Sequence, residues 1–155
     1  MAAPARIAAW TNELTGVRRA IAAVLLGALS LLAFAPLYLW PVLFVSLGGL
    51  TWLLDGSYRA GGTRFARVLG AANTGFWFGF GFFLTGLYWV AEAFLVEPWR
   101  HGWLIPFVMT ALPAGMALFF AAGSAVAMVL WRPGPVRVFA LGVGLGLSEL
   151  ARGHV

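Results

Sequence analysis

From Ala20 to Leu54 the chain reads AIAAVLLGALSLLAFAPLYLWPVLFVSLGGLTWLL, with no charge between Arg18, Arg19 and Asp55. A helix crosses about 30 Å of hydrocarbon with about 20 apolar residues, so this run is too long for one upright span. Pro36 and Pro41 divide it, because proline removes a backbone donor and interrupts a helix interior. Two spans, about 20–35 and 38–54, with a tight turn near Ala35-Pro36-Leu37-Tyr38, bring the flanking arginines to one side. That agrees with the preference of basic loops for the cytoplasm, whereas a single span would separate them.

Working outward, Arg59, Arg64 and Arg67 occupy a glycine-containing loop before a third apolar run of about 68–91. Glu92, Glu97, Pro98, Arg100 and His101 follow as an external segment. A fourth run, about 103–131, carries Pro106 and Pro113, either of which could start or kink a helix. Arg132-Pro133-Gly134-Pro135-Val136-Arg137 then returns the chain to the cytoplasm, and a fifth run, about 138–155, reaches Glu149 and Arg152 and is expected to be incomplete at Val155. Arg6, Arg18, Arg19, Arg59, Arg64, Arg67, Arg132 and Arg137 thus share the cytoplasmic side, with Arg100 and Arg152 outside. Residues 1–19 form a cytoplasmic lead-in, amphipathic or disordered from Met1 to about Asn12. Arg18-Arg19 with Ala33-Phe34-Ala35 imitates a secretory signal, but Pro36 would directly follow the cut and the second span begins at once. Retention is the expectation.

Composition agrees with an all-α, polytopic transmembrane bundle of about five helices. The 155 residues are 62% hydrophobic and 10% charged, with a mean hydropathy of +0.91, against roughly 25% charged in soluble domains. Eight Trp, three Tyr, thirteen Phe and 20 Gly also suit a bilayer and its interfaces. The net charge of +5 would in a soluble chain suggest nucleic acid; here the basic residues, all Arg, mark loops, and no nucleic-acid partner is expected. With no Cys there is no disulfide, no thiolate ligand and no thiol nucleophile.

The segment GFWFGFGFFLTGLYWV, Gly75 to Val90, alternates small and large residues along one helix. Gly75 and Gly79 form a GxxxG pair suited to close helix packing, Tyr88 and Trp89 suit an interface, and a lipid-chain groove is the functional alternative. The glycines lack dinucleotide-binding spacing and follow no strand. Glu149 and Arg152 share one helix face, where pairing lowers the cost of charge in a poorly hydrated place; they either anchor the fifth helix or serve a site. Glu92 and Glu97 suit solvated loop positions. His101 and His154 are too far apart for a metal pattern. Leu150 stands where a nucleophile elbow around Ser148 needs Gly. Gly142, Gly144 and Gly146, like Ala117, Ala121 and Ala125, are spaced for helix packing. No cofactor or metal is expected.

Three segments together resemble the bacterial apolipoprotein N-acyltransferases: Leu32-Ala33-Phe34-Ala35-Pro36 with Trp40-Pro41, the Gly75 to Val90 string, and Ser148-Glu149-Leu150-Ala151-Arg152-Gly153-His154. Their order and spacing also match, and the likeness runs from about Arg18 onward. It implies a multi-pass inner-membrane enzyme with a cytoplasmic N-terminus. Such an enzyme moves an acyl chain from a phospholipid to the amino group of the diacylglyceryl-cysteine at the start of a lipoprotein. The resemblance further implies that chemistry belongs to a nitrilase-like domain whose Cys forms a thioester, with Glu as base and Lys steadying the oxyanion.

This chain has no Cys and no Lys, so no catalytic residue is carried over and the nitrilase-like domain is expected to be absent. The polypeptide alone is therefore expected to be inactive. Tyr88, Trp89, Glu149 and Arg152 are the candidates for a mouth admitting phospholipid and lipoprotein. The alternatives are a small transporter or channel subunit, which would ordinarily place ionisable groups at mid-membrane, and a stand-alone helical interaction protein.

Overall fold

A computed structural model of the chain describes residues 14–96 and 98–154. The expectations for the lead-in, for Arg6 and for Glu97 lie outside the described residues. Long helices dominate: α1 (Gly16–Ser30), α2 (Val42–Arg59) and α3 (Arg64–Gly86), then short α4 (Tyr88–Phe94) and α5 (Pro98–His101), then α6 (Ile105–Val129) and α7 (Val136–Arg152). The helical bundle expected from composition is present, with five long helices among the described residues. Residues Gly16–Ala33, Arg64–Gly86 and Trp99–Val129 are long and apolar enough to cross a membrane by length and composition.

The charge-free run does fold back on itself. A 3₁₀ turn at Leu31–Ala33 ends α1, Phe34 is extended, and Ala35–Pro36 is a cis peptide. Hydrogen bonds from Tyr38 N to Phe34 O (3.0 Å) and from Leu39 N to Leu32 O (2.9 Å) close the turn. Pro41 then caps α2, which returns antiparallel to α1. Arg19 donates to Ser57 Oγ at 2.8 Å near one end of this pair, while the Ser30 and Ser46 hydroxyls meet near the other. The next loop reverses through Gly61 (φ +77°) and Gly62 (φ +85°), a left-handed backbone that other residues rarely adopt. Thr63 caps α3 by accepting from Ala66 N at 3.2 Å.

Helix α3 sits between α1 and α6, and α7 packs on α6. Small residues set these approaches. A Cβ on Gly27 would lie 1.9 Å from Phe78 O, and one on Gly81 would lie 2.1 Å from Val24 O, so α1 and α3 touch backbone to backbone. Gly75 and Gly79 serve the other neighbour: a Cβ there would fall 2.6 Å from Phe120 O and 2.7 Å from Phe120 Cβ on α6. The GxxxG pair therefore packs. Gly144 meets Gly123 O on α6 in the same manner, but Gly142 and Gly146 have no neighbouring atom within 4 Å. Equal spacing along α7 put three glycines in one set, yet its helical rotation presents one of them to α6.

Helix bounds depart from the expected spans: α2 runs 42–59 rather than 38–54, and α3 and α6 run 64–86 and 105–129 rather than 68–91 and 103–131, so Arg64 and Arg67 belong to α3 and not to the loop. Helix α3 stops at Gly86, and Leu87 (φ −102°, ψ 10°) redirects the chain into α4. Thr85 contributes, since its hydroxyl donates back to Gly81 O at 2.8 Å, a bond that bends helices. Pro106 lies in the first turn of α6, where a missing donor costs little, and Pro113 is carried inside the helix on its buried face.

The two ends of the bundle differ. Arg18, Arg19, Arg59, Arg64, Arg67, Arg132 and Arg137 gather where α1 and α3 begin, α2 and α6 end, and α7 begins. At the opposite end Tyr38, Trp40, Tyr88, Trp89, Trp99 and Trp103 are all exposed, as interfacial aromatic residues are. At the arginine end α2 and α7 are tied together: buried Asp55 accepts from Trp131 Nε1 at 3.0 Å and pairs with Arg137. Farther along they part, leaving a groove of about 500 Å³ lined by Trp40, Leu43, Phe44, Leu47, Gly48, Thr51, Val138, Leu141, Gly142 and Leu145.

Candidate functional site

Toward the aromatic end the helices enclose a second space of about 390 Å³. Phe34 from the α1–α2 turn, Leu43 and Leu47 from α2, Phe78 and Phe82 from α3, Phe120 from α6 and Leu145 from α7 form its apolar walls. The aromatic rings hold one another: Phe34 meets Phe82 edge-on at 5.8 Å between centroids, and Phe120 lies 5.8 Å from Phe78 and 5.9 Å from Phe82. Their positions follow from the approaches described above, because Gly79 lets α6 close on α3 until Phe120 reaches the Phe78–Phe82 ridge.

Glu149 and Arg152 complete the lining. They pair on successive turns of α7, with Arg152 Nε donating to Glu149 Oε2 at 3.1 Å and a terminal guanidinium nitrogen reaching the same oxygen. The guanidinium carbon lies 5.8 Å from the centre of the Phe83 ring, a distance at which the π face attracts a cation. Both side chains remain partly exposed, 43% for Glu149 and 36% for Arg152, so the pair stands at an opening rather than deep inside. Ser30 also lines the space, but its hydroxyl is engaged with Leu26 O at 3.1 Å and with Ser46. The result is an apolar chamber with one ion pair at its edge.

The four candidates drawn from the sequence divide two and two. Glu149 and Arg152 come together and border the chamber. Tyr88 and Trp89 open α4 at the same end of the bundle, exposed and outside the lining. Phe82, Phe120 and Leu145 join the lining without being among those four candidates. Phe82 had a signal, being one helical turn beyond Phe78 in the Gly75 to Val90 string; Phe120 had none, since its place depends on which face α6 offers to Gly79.

Among the described residues no group of three or more His, Cys, Asp and Glu side chains is arranged to hold a metal. Ser148 is buried and donates to Leu145 O at 2.8 Å. His154 Nδ1 lies 2.7 Å from Leu150 O. Among the described residues neither is hydrogen-bonded to a side chain that would activate it. What the chamber can do is accept a flexible apolar chain and meet a polar or charged group at its rim.

The groove between α2 and α7 shares Leu43, Leu47 and Leu145 with the chamber. The two spaces therefore adjoin across these three side chains.

Residues 26–155 match the family described as the apolipoprotein N-acyltransferase N-terminal domain. The apolipoprotein N-acyltransferase of Rhodopseudomonas palustris is 48% identical over 150 residues, covering 97% of this chain and 27% of that protein. Its counterpart in Brucella suis is 41% identical over 149 residues (96% and 28%), and that of Bradyrhizobium diazoefficiens 46% over 139 residues (90% and 25%). The chain therefore spans about a quarter of the length of these curated relatives.

Proposed function

We propose, because this chain belongs to the apolipoprotein N-acyltransferase family, that it is the membrane-embedded part of an enzyme moving an acyl chain from a phospholipid to a lipoprotein's N-terminal diacylglyceryl-cysteine. Its task is to receive lipid and present it. The observation that carries this assignment is the apolar chamber whose rim holds Glu149 and Arg152.

An acyl chain gains little by leaving one apolar medium for another, because lipid tails are as apolar as leucine. Selection then falls to polar groups at the mouth. A guanidinium suits a phosphate, which it can hold with two hydrogen bonds, and Glu149 keeps Arg152 positioned when no lipid is bound. The groove between α2 and α7 provides lateral entry from the bilayer. The arginine end lies in the cytoplasm of a bacterial inner membrane and the chamber toward the external face, as the distribution of basic residues favours.

Glu149→Ala combined with Arg152→Ala, made in a full-length enzyme carrying this segment, is expected to lower acyl transfer by tenfold or more, following loss of charged contacts worth about 1.5–3 kcal/mol. Unchanged lipoprotein maturation would overturn the assignment. The 155 residues contain neither Cys nor Lys, and so lack the thiol and the ammonium that the family likeness implies for the thioester and the oxyanion. On their own, incubated with phospholipid and a diacylglyceryl peptide, they are expected to form no acylated product. Product formed by this chain alone would contradict that expectation.

A further inference from the structure

At the arginine end, remote from the chamber, a third space of about 310 Å³ is bordered by Tyr58 from α2, Gly62, Arg64 and Arg67 at the start of α3, Val129 at the end of α6, and Trp131. Unlike the chamber, it has two guanidinium groups in its walls. Arg67 lies 5.1 Å over the Tyr58 ring, which holds its plane, and its Nε is buried without a hydrogen-bond partner. Arg64 is exposed and gives one N–H to Val129 O at 3.3 Å, leaving other donors of its five unused.

Among the described residues no carboxylate lines this space. Asp55, the acid at this end among the described residues, is already engaged by Arg137 and Trp131. Two like charges lining one space repel each other, and an anion between them relieves that repulsion. Both arginines also lie in the first turn of the 23-residue α3, where the helix dipole favours negative charge.

We infer that this pocket binds a phosphate group, held between Arg64 and Arg67. Guanidinium forks match phosphate oxygens two at a time, and basic pockets between membrane helices are suited to anionic headgroups. The phosphate comes either from a lipid headgroup of the adjoining leaflet or from solution. This site is independent of the acyl chamber, and it stands or falls apart from it.

The purified 155-residue chain in detergent is titrated with dioleoyl-phosphatidylglycerol, and bound lipid is counted by native mass spectrometry. Dioleoylglycerol, with the same tails and no phosphate, is the control. Saturable binding of the phospholipid is expected, weakened about tenfold or more by Arg64→Gln with Arg67→Gln, as befits loss of charge-assisted hydrogen bonds. Exposed Arg18→Gln, at the same end, leaves it unchanged. Arg64→Gln alone, at a solvent-facing position, is expected to weaken binding too and decides the matter if the double variant fails to fold. Competition by inorganic phosphate identifies a solution ligand; its absence identifies the headgroup. The site is overturned if neither phosphatidylglycerol nor inorganic phosphate binds, if the Arg64 variants bind phosphatidylglycerol like wild type or weaken binding of dioleoylglycerol, which the chamber can also take, by as much, or if Arg18→Gln weakens phosphatidylglycerol binding as much.

Discussion

Gly27 and Gly142 are both glycines in apolar helices, yet their surroundings give them opposite roles. A Cβ on Gly27 would lie 1.9 Å from Phe78 O, a backbone atom that cannot swing aside, whereas nothing lies within 4 Å of one on Gly142. Gly27→Ala is expected to separate α1 from α3 and lower stability by about 1–3 kcal/mol, the usual cost of overpacking. Gly142→Ala should be neutral or slightly stabilising, since alanine is the better helix former. Thermal unfolding in detergent distinguishes them, and equal midpoints for the two variants would refute the backbone contact. In the sequence both positions carry the same signal, a small residue at helical spacing. The element each faces decides the rest, and spacing within one helix does not report it.

Between elements, the tie from α2 to α7 through Asp55, Trp131 and Arg137 closes the arginine end while the groove stays open beyond it. Its two charges are unequally placed, with Arg137 30% exposed and Asp55 8% by side chain. Arg137→Ala strands a buried carboxylate, for which about 3–5 kcal/mol is the range at fully buried pairs, reduced here because water reaches the arginine side. Asp55→Asn keeps an acceptor for Trp131 Nε1 and leaves a cation that can hydrate. Arg137→Ala is therefore expected to destabilise more than Asp55→Asn, as measured by unfolding midpoints in detergent. The reverse order would mean that the carboxylate is hydrated rather than dependent on the pair. Sequence gave no hint of this tie, because its partners lie 76 and 82 residues apart. Glu149 and Arg152 were legible together for the opposite reason: three residues apart on one helix, they need no tertiary contact to meet.

At the scale of the whole molecule, a helical membrane bundle was legible from composition and from the proline-divided run between Ala20 and Leu54. The chamber was not, since its lining comes from the α1–α2 turn and all five long helices, whose rotations are settled by packing. Sidedness can be tested directly, because the chain has no cysteine of its own. With the arginine end in the cytoplasm, Val96→Cys, at a position 81% exposed near the aromatic end, should react with an impermeant maleimide added to intact spheroplasts. Ala60→Cys, exposed in the α2–α3 loop, should react after permeabilisation. Inverted reactivity would reverse the orientation.

The acyl chamber itself is tested by reconstituting the chain in a bilayer containing a phospholipid with a diazirine in its acyl chain, irradiating, and mapping adducts by mass spectrometry. Adducts on the chamber residues Phe82, Phe120 and Leu145 are expected in addition to those on outward-facing residues such as Leu118 and Phe139. Labelling confined to the outward-facing residues would contradict entry of an acyl chain between the helices.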